Sequence, residues 1–322
     1  MRLMPVLLSV LFCSACADAP AEFDEEIGAT RGAIEDGELA NQFARNRAGV
    51  LARITSGGSD FKCTVTKIAP RYVITALHCN PRVGDTVVFY GTGSSANFNI
   101  TREVVSVGKP PGTSVSADAV DWTDVNDKFA DIAILRLDSA VTDTPFATLA
   151  WYYPGDDHDG VKIGAGKHEG QSSLLGQLRR KSDTTYSGDD DGGGFRTGEC
   201  ALNDGDEGGA FYDPSKLLGV ANGCTVLGGF VNRGRYTSIP EHLDWIVDVI
   251  DYVWSGGPTQ TFYRSGTEVG VAFAGSRVRC KYACDHSADC DAFNWQSQAH
   301  ICQMVKNVTG ATSSSIWQSA LK

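Results

Sequence analysis

The sequence is short of positive charge and of long apolar runs. Against 39 Asp and Glu stand only 28 Lys and Arg, a formal net charge of −11. A nucleic-acid partner demands Lys and Arg to neutralise phosphates, so this balance argues against one. Beyond the extreme N-terminus, no stretch approaches the roughly eighteen consecutive apolar residues of a membrane-spanning helix, and no transmembrane span is expected. No Gly-X-Y period appears, and the 42% hydrophobic content is ordinary, which excludes collagen-like and disordered chains. What is abundant is glycine: 36 of 322 residues, about 11% against a usual ~7%. Surplus glycine suits a turn-rich chain, because tight turns need positive φ. There are also 10 cysteines, which raises the question of whether they pair.

The N-terminus bears on that question. Met1-Arg2 is a short basic start, Leu3 to Phe12 is apolar, and Ser14-Ala15-Cys16-Ala17 is small. This is the pattern of an export signal, too short to cross a bilayer as a helix. Two cleavages compete: after the A-x-A sequence Ala15-Cys16-Ala17, or before Cys16 with a lipid on that cysteine. Either way residues 1–17 read as a secretory or lipoprotein signal. The chain is then expected to be exported, as a secreted, periplasmic or lipid-anchored surface protein, where disulfides form. Residues 18–33 are small and acidic and read as a linker or pro-segment.

From about residue 48 short apolar runs alternate with turn residues, as in Val50–Ile54, Tyr72–Ile74, Thr86–Tyr90 and Ile132–Leu135. Many short strands separated by turns predict a β-sandwich or barrel. Helical periodicity appears only at 240–250, where Leu243, Ile246, Val247 and Ile250 share one face. Ser255-Gly256-Gly257-Pro258 then breaks the chain, and a domain boundary is expected there.

Three segments carry chemistry. Thr75-Ala76-Leu77-His78-Cys79 follows a strand pattern and has Cys63 upstream; Asp131-Ile132-Ala133-Ile134-Leu135 opens another strand; and Asn203-Asp204-Gly205-Asp206-Glu207-Gly208-Gly209 precedes Leu217-Leu218-Gly219-Val220. In this order they resemble the chymotrypsin/trypsin-like (S1) serine proteases. The resemblance implies an all-β fold of two six-stranded antiparallel barrels over residues 34–256. It implies His78 as general base, since an imidazole titrates near neutrality, and Asp131 as the carboxylate that holds its tautomer. It also implies an oxyanion hole from the N–H groups of Gly205 and Glu207, and bridges Cys63–Cys79 and Cys200–Cys224. Ile34-Glu35-Asp36-Gly37 is similar to the start of a mature protease, whose freed amine pairs with the residue that is Asp206 here. The basic residue expected before such a start is absent, Gly32-Ala33 standing there instead.

The departure from the pattern decides the expected function. The nucleophile position holds Glu207, not serine. A carboxylate is a poor nucleophile toward an amide, its acyl product would be an anhydride, and its charge favours imidazolium at His78. Loss of the nucleophile in related enzymes costs about 10⁶ in turnover. A pseudoprotease that binds or regulates is therefore expected; an active peptidase with an unrecognised nucleophile is the alternative. The acidic Gly-rich run Ser187–Gly194 has oxygen ligands suited to Ca²⁺, but a solvated loop is the simpler reading, and no metal or cofactor is expected. The pocket floor falls at Ala201 by direct counting.

Residues 259–322 have another texture: Cys280-Lys281-Tyr282-Ala283-Cys284, Cys290-Asp291-Ala292-Phe293-Asn294-Trp295 and Ile301-Cys302. They resemble a PAN/apple-like module, small, disulfide-rich and α+β. The resemblance implies bridges Cys280–Cys302 and Cys284–Cys290, although four cysteines allow three pairings. It implies a protein or peptide ligand, or a carbohydrate. A surface adhesin built on this module is a third functional reading.

Overall fold

The computed structural model describes residues 34, 37–55, 58–90, 98–115, 122–126, 128–153, 155–166, 178–188, 192–198, 200, 202, 205–213, 215–227, 231–250, 262–273 and 276–322. The leader with Cys16, the stretch 18–33, residues 189–191, Ala201, Asn203, Asp204 and the breaker at 255–258 lie outside the described residues.

Six strands form the first barrel: β1 Ala48–Thr55, β2 Gly58–Ala69, β3 Tyr72–Thr75, β4 Thr86–Tyr90, β5 Phe98–Gly108 and β6 Ala133–Leu137. They close in the order β1-β2-β3-β6-β5-β4, all neighbours antiparallel. The period-2 pattern read from the sequence turns alternate side chains inward. Leu51, Val65, Val73, Val87, Phe89, Val104, Leu135 and Leu137 fill the interior.

The second barrel comprises β7 Asp159–Gly164, β8 Arg179–Gly188, β9 Gly194–Thr197, β10 Ala210–Asp213, β11 Lys216–Leu227 and β12 Val231–Ser238. Its order is β8-β7-β10-β11-β12-β9, and pairing of β8 with β9 closes the ring. Phe195, Phe211 and Tyr236 pack ring against ring inside it. The all-β, two-barrel expectation is borne out. Ile74 and Ile132 from the first barrel meet Ile163 and Val220 from the second in one continuous core. The helix α1, Ile239–Val249, lays Leu243, Ile246 and Val247 on that core. Pro240 starts it where a missing N–H costs nothing. Among the described residues no helix is long and apolar enough to cross a membrane.

The C-terminal segment folds as β13 Phe262–Phe273, α2 Arg277–Asp285, β14 Ala292–Gln296, β15 Ile301–Ser313 and β16 Trp317–Leu321, with sheet order β13-β15-β14-β16. Ser276 caps α2 by accepting the Arg279 N–H. Its core is Phe293, Trp295 and Met304 around the two bridges Cys280–Cys302 and Cys284–Cys290. One face of α2 docks on the barrels. The Tyr282 hydroxyl accepts the Leu149 N–H at 2.9 Å, and Arg279 donates twice to the Trp151 carbonyl, at 2.9 and 2.7 Å. Trp151 packs against both cores.

Candidate active site

Strand register brings the first two site residues together. β3 and β6 pair with Thr75 opposite Ala133, so the chain just beyond the end of β3 faces the chain just before β6. Beyond β3 a single 3₁₀ turn, Leu77–Cys79, carries His78, and Asn80 in the left-handed region (φ 51°) ends it. Just before β6 lies Asp131, buried. Its two carboxylate oxygens accept from the His78 backbone N–H at 2.8 Å and lie 2.6 Å from the His78 Nδ1. With Nδ1 bonded to the carboxylate, the other ring nitrogen faces away from it. The side chain of His78 is 35% exposed.

The second barrel holds Asp131 from behind. Asn222 Nδ2, on β11, donates to the Asp131 carbonyl at 2.7 Å, and the Thr237 hydroxyl, on β12, lies 3.1 Å from the same oxygen. Neither residue was singled out by sequence. Asn222 lies just past the Leu217-Leu218-Gly219-Val220 run that carries part of the family resemblance, but nothing local marks its side chain as aimed at a carbonyl 91 residues away.

Glu207 lies on a tight turn over residues 205–208, where Gly205 (φ 94°) and Gly208 (φ 78°) take conformations that side chains resist. A Cβ on Gly208 would stand 2.1 Å from Thr75 Oγ1 and 2.2 Å from the Thr64 carbonyl, so the turn is pressed against the first barrel. Backbone bonds fix it there: Thr64 N–H to the Glu207 carbonyl at 2.9 Å and Gly208 N–H to the Ala221 carbonyl at 2.7 Å. The Thr64 hydroxyl donates to the Gly205 carbonyl at 2.7 Å. The Glu207 carboxylate folds back on its own turn, where Oε2 accepts the Gly205 N–H at 2.7 Å. The carboxylate thus accepts from one of the two N–H groups, those of Gly205 and Glu207, that the resemblance implies for an oxyanion hole.

Asp206 is fully buried and accepts the Ile34 N–H at 2.8 Å and the Gly166 N–H at 2.7 Å. Ile34, equally buried, is thereby held 172 residues along the chain from its partner. Bridges join Cys63 to Cys79, beside His78, and Cys200 to Cys224.

The electrostatics follow from this arrangement. Desolvation acts on His78 most strongly and lowers its pKa. The charge of Asp131, its hydrogen bond and the charge of Glu207 all act the other way, and together they hold the imidazole above its ordinary 6.5. The charges of Asp131 and Glu207 thus favour the imidazolium at His78 more than in an ordinary histidine, and imidazolium has no lone pair to take a proton.

The trypsin family model, described as Trypsin, matches residues 41–246. No curated protein sequence matches the chain. Among solved structures, mouse brain neuropsin, a serine protease, is similar with 19% identity and a TM-score of 0.54, over 67% of this chain and 99% of its own. A scabies mite inactivated protease paralogue shows 17% identity and a TM-score of 0.53, over 67% and 98% respectively. Human heparin binding protein shows 18% and 0.53, over 70% and 100%.

Proposed function

This chain belongs to the trypsin family, and from that premise we propose that it is a pseudoprotease, a binding or regulatory protein on a protease scaffold. The observation that carries the reading is the 2.7 Å bond from the Gly205 N–H to Glu207 Oε2. Acyl transfer needs a nucleophile and an empty cradle of N–H donors for the developing oxyanion. Here one residue removes both, since it replaces the hydroxyl and its carboxylate takes the donor. The Glu207 charge acts in the same sense, because it adds to Asp131 in raising the His78 pKa and so favours the protonated ring over the general base. His78, Asp131 and the activation-pocket pair Ile34–Asp206 are, on this reading, retained for architecture. The fold tolerates such a role: one similar structure is of a protease paralogue named as inactivated.

The remaining parts of the reading are residues 34–256 as the protease-like domain and 259–322 as a PAN/apple-like module that takes a protein, peptide or carbohydrate ligand. The leader, the disulfides and the lack of a membrane helix among the described residues support export.

The test sets the unmodified chain beside Glu207→Ser with broad peptide and ester substrates and a serine-directed covalent probe. No turnover and no labelling of the unmodified chain is the expected result. Turnover gained by Glu207→Ser, at least about 10³-fold above the parent, would identify an otherwise intact centre. Robust hydrolysis and labelling of the unmodified chain would overturn the proposal.

A further inference from the structure

Thr64 stands at the junction of the two barrels with every polar group engaged. It lies on β2, beside Cys63, and is fully buried. Its N–H donates to the Glu207 carbonyl at 2.9 Å, and its carbonyl accepts from the Thr75 hydroxyl at 2.9 Å. Its own hydroxyl works in both directions, donating to the Gly205 carbonyl at 2.7 Å and accepting the Ala165 N–H at 2.9 Å. We propose that Thr64 is a positioning residue: its hydroxyl bolts the turn over residues 205–208 to the end of β7 and so holds the Glu207 carboxylate on the Gly205 N–H.

Gly205 sits at φ 94°, and glycine is the residue freest to rotate its two flanking peptide planes. The Thr64 hydroxyl fixes one plane by its carbonyl, and the other then presents its N–H to Glu207 Oε2 at 2.7 Å. The Thr64 N–H, on the Glu207 carbonyl, grips the same turn two residues further on. Ala165 follows directly on β7, and its neighbour Gly166 donates to Asp206 Oδ1 at 2.7 Å. On the other side of Ala165, a Cβ on Gly164 would stand 2.2 Å from that same oxygen. The chain over 164–166 is thus pressed on Asp206 and tied to Thr64. Asp206 in turn holds Ile34, so the hydroxyl joins the buried pocket of Ile34 to the N–H that Glu207 occupies.

A hydroxyl offers a donor and an acceptor on one small atom. Valine has nearly the shape of threonine without that atom, and would take this partner from both the Gly205 carbonyl and the Ala165 N–H. Serine keeps it. A β-branched side chain is also stiff at χ1, which keeps the oxygen between its two partners. The role concerns how the turn is held, whether or not the chain turns over substrate. It therefore goes beyond the pseudoprotease reading and is tested without substrate.

The test compares the full chain with Thr64→Val and Thr64→Ser by nuclear magnetic resonance. The readouts are the His78 Cε1–H titration and the hydrogen-exchange rate of the Gly205 amide. Thr64→Val should speed Gly205 exchange by roughly 10–100-fold. It should also lower the His78 pKa, because a loosened turn no longer keeps the Glu207 charge beside the ring. Adding Thr64→Val to Glu207→Gln should bring no further fall, since the hydroxyl acts on the ring through that charge. Thr64→Ser should return both readouts to those of the parent. A Thr64→Val protein that is only less stable, with both readouts unchanged, would overturn the proposal. So would Thr64→Ser behaving as Thr64→Val, or a further fall in the double variant. Should Thr64→Val fail to fold, the parent decides. Its Gly205 and Ala165 amides should exchange within about tenfold of each other, as a single opening demands; a freely exchanging Gly205 amide beside a protected Ala165 refutes the bolt.

Discussion

At the scale of single residues, the charge on Glu207 acts in two directions. It satisfies the Gly205 N–H, and it raises the pKa of His78 together with Asp131. Glu207→Gln should keep a carbonyl oxygen for the Gly205 N–H yet remove the charge. The His78 pKa should therefore fall relative to the parent, read from its imidazole Cε1–H resonance across pH 5–9; an unchanged titration would show that the Glu207 charge does not reach the ring. The sign for stability follows from the same shift. A folded-state pKa above the ordinary 6.5 means that the folded chain holds this proton more tightly than the unfolded one. The contribution is complete below pH about 6.5 and is lost as pH rises through the folded value. In the Glu207→Gln protein that dependence should be shallower, measurable as midpoints of urea unfolding at successive pH values.

At the scale of elements, the site is assembled by two strand pairs from different barrels. The β3–β6 register sets His78 against Asp131, and β11 and β12 supply Asn222 and Thr237 to the carbonyl of Asp131. Asn222→Ala should leave that inward carbonyl short of its best donor. The expected cost is about 1–3 kcal/mol, seen as a lower unfolding midpoint, whereas Asn222→Asp should be worse because it sets a carboxylate against a carbonyl. An unaltered midpoint in both would show that the bond contributes nothing across the barrel junction. These elements also show what was readable in the sequence. The strands at 50–54, 72–74, 86–90 and 132–135 and the helix near 240–250 were visible because period 2 and period 3.6 are local properties. His78, Asp131 and the turn around Glu207 were visible because their neighbours along the chain carry the motif. The support from Asn222 and Thr237 was not, because it depends on which carbonyl a folded strand presents many residues away. The direction taken by the Glu207 carboxylate was equally hidden, being a choice between rotamers that only the closed turn settles.

At the scale of the whole molecule, the C-terminal module and the barrels share packing. Trp151 belongs to both cores, Tyr282 reaches into the larger one, and Ser276 bonds to Asp244 on α1. Tyr282→Phe should leave the buried Leu149 N–H without its acceptor, at about 1–3 kcal/mol. If the module is integral to the fold, calorimetry of the parent should give a single transition, and Tyr282→Phe should lower or split it. Two transitions in the parent, with only the smaller one moved by Tyr282→Phe, would make the module an independent unit.

The same contact sets a clock on biosynthesis. Leu149 and Tyr282 are 133 residues apart. At roughly 5–20 residues per second, the ribosome delivers the cover for Leu149 and Trp151 on the order of ten seconds after it delivers those residues. The second barrel receives its last strand only at Ser238, so for the roughly forty residues that follow, a few seconds at that rate, an unpaired N–H and a tryptophan face lie open on two barrels that have every strand they need, until the helix that covers them arrives.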